Sequence, residues 1–129
     1  MGQYHIVINE DKKEYIEAHR FGEGIKLMEF TTGGCGTLTG LALLLADKTA
    51  NGKGNGDFGY DGEDILGRWH GDRIKIVGDY GDDGLYKEAF NSWTDISKKV
   101  LAVMLKDVYV REQQEGTSWR SLEERLEEE

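Results

Sequence analysis

The chain has no proline, one cysteine and no long apolar run, and each shortage limits what it can be. Without proline, its turns must be made by glycine, asparagine and aspartate, and the 18 glycines are suited to this role. The single cysteine, Cys35, excludes a disulfide within the chain. The apolar run at residues 41–46 is much shorter than the roughly 20 residues that span a bilayer. We therefore expect no association with a membrane.

Positive charge is also scarce. The chain carries 16 lysines and arginines against 25 aspartates and glutamates, a formal net charge of −9 at pH 7. A negative surface repels phosphate backbones and attracts basic proteins or cations, so we expect a basic protein partner and no direct binding of nucleic acid. The lone cysteine, and a start that lacks a charged leader followed by an apolar run, predict a location in the reducing cytoplasm.

The composition is that of a folded domain, because 38% of the 129 residues are hydrophobic. Near the start, a β-branched run is followed by a polar turn and a second apolar run, which predicts a hairpin with a central first strand. The register that brings apolar residues together pairs Asn9 with Glu14, Ile8 with Tyr15, Val7 with Ile16 and Tyr4 with His19.

Apolar periodicity predicts the remaining elements. We expect strands near residues 4–8, 14–18, 25–30 and 73–79, helices near 38–47 and 96–107, and a hairpin or bulged strand across 67–80. Residues 86–93 fit a helix or a strand. The predicted fold is α+β, with a single mixed or mainly antiparallel sheet covered by two main helices. This domain is expected to span residues 1–110, followed by an acidic tail at 111–129 with a short helix.

A glycine-rich corner lies between the predicted strand at 25–30 and the helix at 38–47. Backbone N–H groups at such a corner, together with the positive end of a helix dipole, suit a phosphate or other anion. The candidate ligand-binding residues are Gly33, Gly34, Gly36 and Thr37. The alternatives are a packing corner and, less economically, a reactive Cys35, although no histidine is placed beside that thiol by the sequence.

Acidic residues crowd a second glycine-rich segment at 51–64. Two aromatic residues there have little local core to join, so they are candidate anchors for a partner. The candidate partner-binding residues are Asp57, Phe58, Tyr60, Asp61 and Asp64.

Metal and catalytic motifs fail on their spacing. No His or Cys pair has the spacing of a zinc site, and the turn Asp79-x-Gly81-x-Asp83-Gly84 lacks two ligands of a calcium loop. The acids Glu29, Asp47 and Asp57 would need a cleft to act as acid or base. We therefore predict no metal site, no cofactor and no catalytic residue.

Several segments together resemble a family of small uncharacterised proteins of phages and mobile elements. They are MGQYHIVIN at residues 1–9, DKKEY at 11–15, GIKLMEF at 24–30, GTLTGLALLLAD at 36–47 and GDRIKIVGDY at 71–80. The resemblance covers about residues 1–105. It implies an accessory or host-interaction role and carries over no site residue, because the family has no established activity.

The leading functional prediction is a non-enzymatic accessory protein that acts through an acidic surface on a basic host protein. Its alternative is a small-ligand protein that binds a nucleotide or another phosphate compound at the glycine-rich corner.

Overall fold

A four-stranded mixed sheet with helices on both faces forms the body of the protein in the computed structural model, which describes residues 3–30, 36–47 and 64–106. The strands are β1 (His5–Asn9), β2 (Glu14–Ile16), β3 (Ile74–Gly78) and β4 (Thr94–Asp95). The helices are α1 (Thr37–Leu45), α2 (Leu85–Ser92) and α3 (Ser97–Met104), and there are 3-10 turns at Ala18–Phe21 and Leu27–Glu29. This architecture confirms the predicted α+β class. The predicted tail at 111–129 lies outside the described residues.

The sheet has the strand order β3-β1-β2-β4, so β1 is central, as predicted. β1 pairs antiparallel with β2 and β3, whereas β2 and β4 run parallel. The hairpin register is confirmed, with Val7 opposite Ile16 and Ile8 opposite Tyr15. The predicted pairing of Tyr4 with His19 is wrong, because the chain leaves the sheet in the 3-10 turn Ala18–Phe21 and Tyr4 instead bridges Lys26.

Side chains alternate across the sheet and build a separate apolar cluster on each face. Val7 and Ile16 face α1 and α3, together with the fully buried Trp69. Ile6, Ile8 and Tyr15 face α2. Two main helices were expected; the structure places α1 and α3 on one face and adds α2 on the other.

The segment at 25–30 is not the predicted strand. It forms the 3-10 turn Leu27–Glu29, in which the Glu29 carboxylate accepts a hydrogen bond from the Lys26 N–H at 3.1 Å. Leu27 and Met28 are exposed, so their apolar character does not report a buried strand. A local side-chain bond to the backbone has prevailed over strand propensity here.

The first half of the hairpin or bulged strand predicted across 67–80 is likewise absent, because residues 64–72 form turns against the end of α1. The N–H groups of Gly67 and Trp69 donate to the carbonyls of Leu43 and Leu44, each at 2.8 Å. These bonds satisfy carbonyls that a helix leaves unpaired at its C-terminus, and they hold Trp69 in the core. The open choice at 86–93 is resolved as helix α2.

None of the helices in the described ranges has the length and apolar character that crossing a membrane requires.

Candidate functional site

The glycine-rich corner holds an internal carboxylate. Gly33 and Gly34 lie outside the described residues, whereas Gly36 caps α1 and Thr37 is buried. The Thr37 N–H and hydroxyl both donate to Glu23 Oε1, at 2.8 and 2.7 Å. A Cβ on Gly36 would lie 2.3 Å from the same carboxylate. An added phosphate would therefore compete with Glu23 for this helix terminus. The carboxylate that caps α1 thus comes from Glu23, which is distant in the sequence.

The acidic segment predicted to bind a partner is described only at its end. Asp57, Phe58, Tyr60 and Asp61 lie outside the described residues, and so does Cys35. Asp64 is exposed, and its charge acts on Arg68.

Exposed rings and carboxylates meet instead on the α2 side of the sheet, where sequence reasoning placed no site. The rings of Tyr86 and Phe90 lie 5.2 Å apart, and Phe90 lies 5.4 Å from the ring of Tyr15. Tyr4 and Phe90 remain 44% and 42% exposed. We name this surface the acidic aromatic face and define it by Tyr4, Tyr86, Phe90, Glu17 and Asp95.

Strand alternation and helix periodicity explain how the face is assembled. Tyr15 points toward α2, so Glu17, two residues later, continues on that side. Asp95 is the parallel partner of Tyr15 in β4. Tyr86 and Phe90 are four residues apart on α2, and residues at this spacing share one side of a helix.

The Glu17 carboxylate of the face is poorly compensated. Burial raises the pKa of Glu17, and the charge of Asp95 raises it further, while Arg20 and His19 oppose this shift without cancelling it. Arg20 Nε lies 4.0 Å from Asp95 Oδ2. Glu17 and Asp95 therefore share one guanidinium, and the repulsion between their negative charges is only partly offset.

The tyrosines of this region report the same negative potential. Burial, followed by the charges of Asp95 and Glu17, raises the pKa of Tyr15 to about 12. Burial, followed by the charges of Asp79 and Glu17, raises the pKa of Tyr86. A negative potential beside exposed rings favours a cation.

In the acidic turn at 79–84, two carboxylates accept hydrogen bonds from backbone N–H groups. Asp79 Oδ1 accepts from the Tyr4 N–H at 3.0 Å, and Asp83 Oδ1 accepts from the Leu85 N–H at 3.1 Å. In the part of the chain that the structure describes, no group of three or more His, Cys, Asp or Glu residues is placed to hold a metal ion. Glu29 and Asp47, the described acid–base candidates, are exposed.

Comparison with known proteins adds no relative, because no family model, curated protein or solved structure matches the chain at a significant level.

Glu17→Gln is expected to stabilise the protein at neutral pH. The raised pKa means that the fold favours protonated Glu17, so this group contributes stability below its unfolded pKa and loses that contribution as pH rises through the folded pKa. Glutamine removes the charge that the site disfavours. A gain of about 0.5 kcal/mol corresponds to a rise in Tm of about 1–3 °C.

Thermal unfolding at neutral and acid pH measures this effect. Asp82→Asn is the matched control, because it removes one exposed carboxylate outside the face. A gain confined to Glu17→Gln and lost in acid supports local repulsion. An equal gain in both variants would assign the effect to net charge.

Proposed function

We propose that the protein is a non-enzymatic interaction protein whose acidic aromatic face binds a lysine or arginine side chain of a basic protein partner. The observation that supports this most directly is Glu17, a half-buried carboxylate that lies near Asp95 with Arg20 as an insufficient counter-charge. A carboxylate whose pKa is shifted by burial and by a specific neighbour is a candidate for function. A second cation from a partner would relieve the repulsion.

The rings of the face suit the same ligand. A lysine or arginine placed over an aromatic ring is attracted by the ring's electrons, and carboxylates beside the ring add charge-assisted hydrogen bonds. The protein already shows this chemistry at the C-terminal end of α2, where Lys13 Nζ lies 4.7 Å from the centre of the Trp93 ring. Tyr4 and Phe90 are exposed rings on which a partner's cation can make the equivalent contact.

The proposed setting is that of a phage or mobile-element accessory protein with a host partner. This setting rests on the resemblance of about residues 1–105 to the phage and mobile-element family. The net charge of −9 supports the basic character of the partner, since a negative surface accelerates the approach of a basic protein. The same charge predicts that binding weakens as salt increases.

A short lysine-rich peptide is a direct probe of the face. Titrated into isotopically labelled protein at low salt, the peptide is expected to shift the amide signals of Glu17, Tyr86, Phe90 and Asp95. Glu17→Gln is expected to raise the peptide Kd about two- to fivefold, the effect of removing one partly exposed charge pair. A peptide with glutamine in place of lysine should leave the spectrum unchanged.

The triple variant Asp57→Asn, Asp61→Asn and Asp64→Asn distinguishes the face from the acidic segment predicted by the sequence. If the peptide binds through the face, its Kd should change little in the triple variant and rise about two- to fivefold in Glu17→Gln. The reverse result would move the partner site to the segment at 51–64. Signal shifts spread evenly over all acidic residues would contradict a specific site.

A further inference from the structure

β3 is the long edge strand of the sheet. Among the described residues it pairs only with β1, whereas the opposite edge, β4, is two residues long. An edge strand presents unpaired N–H and C=O groups to any chain that can pair with it. β3 is five residues long and contains no proline.

The hydrogen bonds at the ends of β3 show which backbone groups face outward. The Glu10 N–H donates to the Arg73 carbonyl at 3.0 Å, and the Asp79 N–H donates to the Tyr4 carbonyl at 2.9 Å. In an antiparallel ladder, alternate residues direct their backbone groups to the same neighbour. Odd-numbered residues of β3 therefore bond to β1. The outward residues are Ile74, Ile76 and Gly78, although the Gly78 carbonyl already accepts from the Gly81 N–H at 3.0 Å.

The middle of this edge is apolar. Ile76, the central residue of β3, is 43% exposed and lies on the same face of the sheet as Val7, its cross-strand partner. Lys75 projects to the other face and forms a salt bridge with Glu10 at 3.1 Å. The edge thus lacks a charged side chain on the side where Ile76 is exposed.

We propose that two copies of the chain pair antiparallel along β3, with Ile76 opposite Ile76 of the partner subunit. This twofold register pairs the two strands about Ile76 and joins the two sheets into one. It also places Arg73 opposite Asp79 of the partner subunit, so unlike charges meet on both sides of the axis. Like charges do not oppose one another at any position from 73 to 79.

The side chains at the ends of the strand are available for this contact. The Arg73 side chain is 75% exposed, and its Nε and Nη2 bind Asp11 Oδ1, which leaves Nη1 for a second carboxylate. Asp79 is exposed and uses Oδ1 for the Tyr4 N–H. These features favour a second copy of the chain as the partner of β3, because the edge is complementary to itself. Glu17 and Asp95 lie at the β2 and β4 side of the sheet, whereas Tyr4 of the acidic aromatic face bonds to Asp79 beside the dimer edge. The variants Glu17→Gln and Ile76→Lys therefore test the two proposals separately.

Sedimentation equilibrium of the full chain over a wide concentration range tests the dimer. We expect the wild type to dimerise and Ile76→Lys to raise the dimer Kd at least about tenfold, because the variant places two like charges together at the axis. Leu38→Lys is the matched control, since Leu38 on α1 is also 43% exposed. This control should dimerise like the wild type.

Amide hydrogen exchange identifies the surface involved. The Ile76 amide should become protected as protein concentration rises, in step with the dimer fraction. A wild type that remains monomeric, or equal loss of the dimer in Leu38→Lys, would overturn the proposal. Protection of Ile76 that does not depend on concentration would also overturn it, because another part of the same chain would then cover the edge.

Discussion

Glu14→Ala is expected to lower the free energy of unfolding by about 2–4 kcal/mol. Glu14 is 6% exposed and accepts hydrogen bonds from Arg68 Nε at 3.0 Å and from the Trp69 indole Nε1 at 2.9 Å. Removing the carboxylate leaves the indole N–H of a fully buried ring without its acceptor. The Arg68 side chain is 33% exposed and can still be hydrated, so the loss is smaller than for a fully buried ion pair.

The effect should depend on pH in a definite direction. Burial raises the pKa of Glu14, but the hydrogen bonds from Arg68 and Trp69 outweigh burial and hold the pKa below the ordinary value of 4.5. Ionised Glu14 therefore stabilises the fold above its unfolded pKa, and this contribution is lost as pH falls through the folded pKa. Urea unfolding should show a large difference between wild type and Glu14→Gln at neutral pH and a small one in strong acid.

Asp11→Ala is the matched control for the Glu14 variants. Asp11 also binds an arginine, through two hydrogen bonds from the Arg73 guanidinium and one from the Arg73 backbone N–H, but the side chains of Arg73 and Asp11 are 75% and 35% exposed. Water competes for an exposed ion pair, so this variant should lose much less stability than Glu14→Ala. Equal losses in Glu14→Ala and Asp11→Ala would show that burial does not set the strength of the Glu14 contacts.

The spacing of apolar residues close in the sequence was enough to predict the β1–β2 hairpin and helix α3. Alternation of apolar residues fixed the β1–β2 register, and helical spacing predicted α3, in which Val100 and Met104 are buried. The strand predicted at 25–30 failed, because an apolar run looks the same whether its side chains are buried or, like Met28, exposed.

Contacts between distant segments were beyond sequence reasoning. The carboxylate of Glu14 meets Trp69, and that of Glu23 meets Thr37, with no motif to connect either pair. No regular separation in the sequence predicts either hydrogen bond, because only tertiary folding brings the two residues together.

The candidate site was missed for a related reason. Sequence reasoning recognises acids that are neighbours in the chain, such as those at 57–64 and 79–83. Glu17 and Asp95 are isolated acids that meet because β4 lies parallel to β2. The local signal was the four-residue spacing of Tyr86 and Phe90, which was ambiguous until α2 was established as a helix.

Gly40→Val is expected to lower the free energy of unfolding by about 2–3 kcal/mol. Gly40 is buried in α1 where α3 crosses it, and a Cβ at this position would lie 2.8 Å from Val100 Cγ1 and 3.4 Å from Met104 Sδ. A glycine inside a helix costs about 1 kcal/mol relative to alanine, so the close approach of α3 explains its presence. Ala42→Val is the matched control, because Ala42 is exposed on the same helix and the change should cost only about 0.5 kcal/mol of helix propensity.

A double-mutant cycle locates the strain at the crossing of α1 and α3. Val100→Ala alone opens a cavity and should cost about 2 kcal/mol, because Val100 is fully buried. Gly40→Ala adds a methyl group that collides with Val100 but fits the space left by Val100→Ala. The double variant should therefore be more stable than the sum of the two single changes implies. Additivity within about 0.5 kcal/mol would show that the two side chains do not contact each other. The close approach of α3 would then not explain the glycine at position 40.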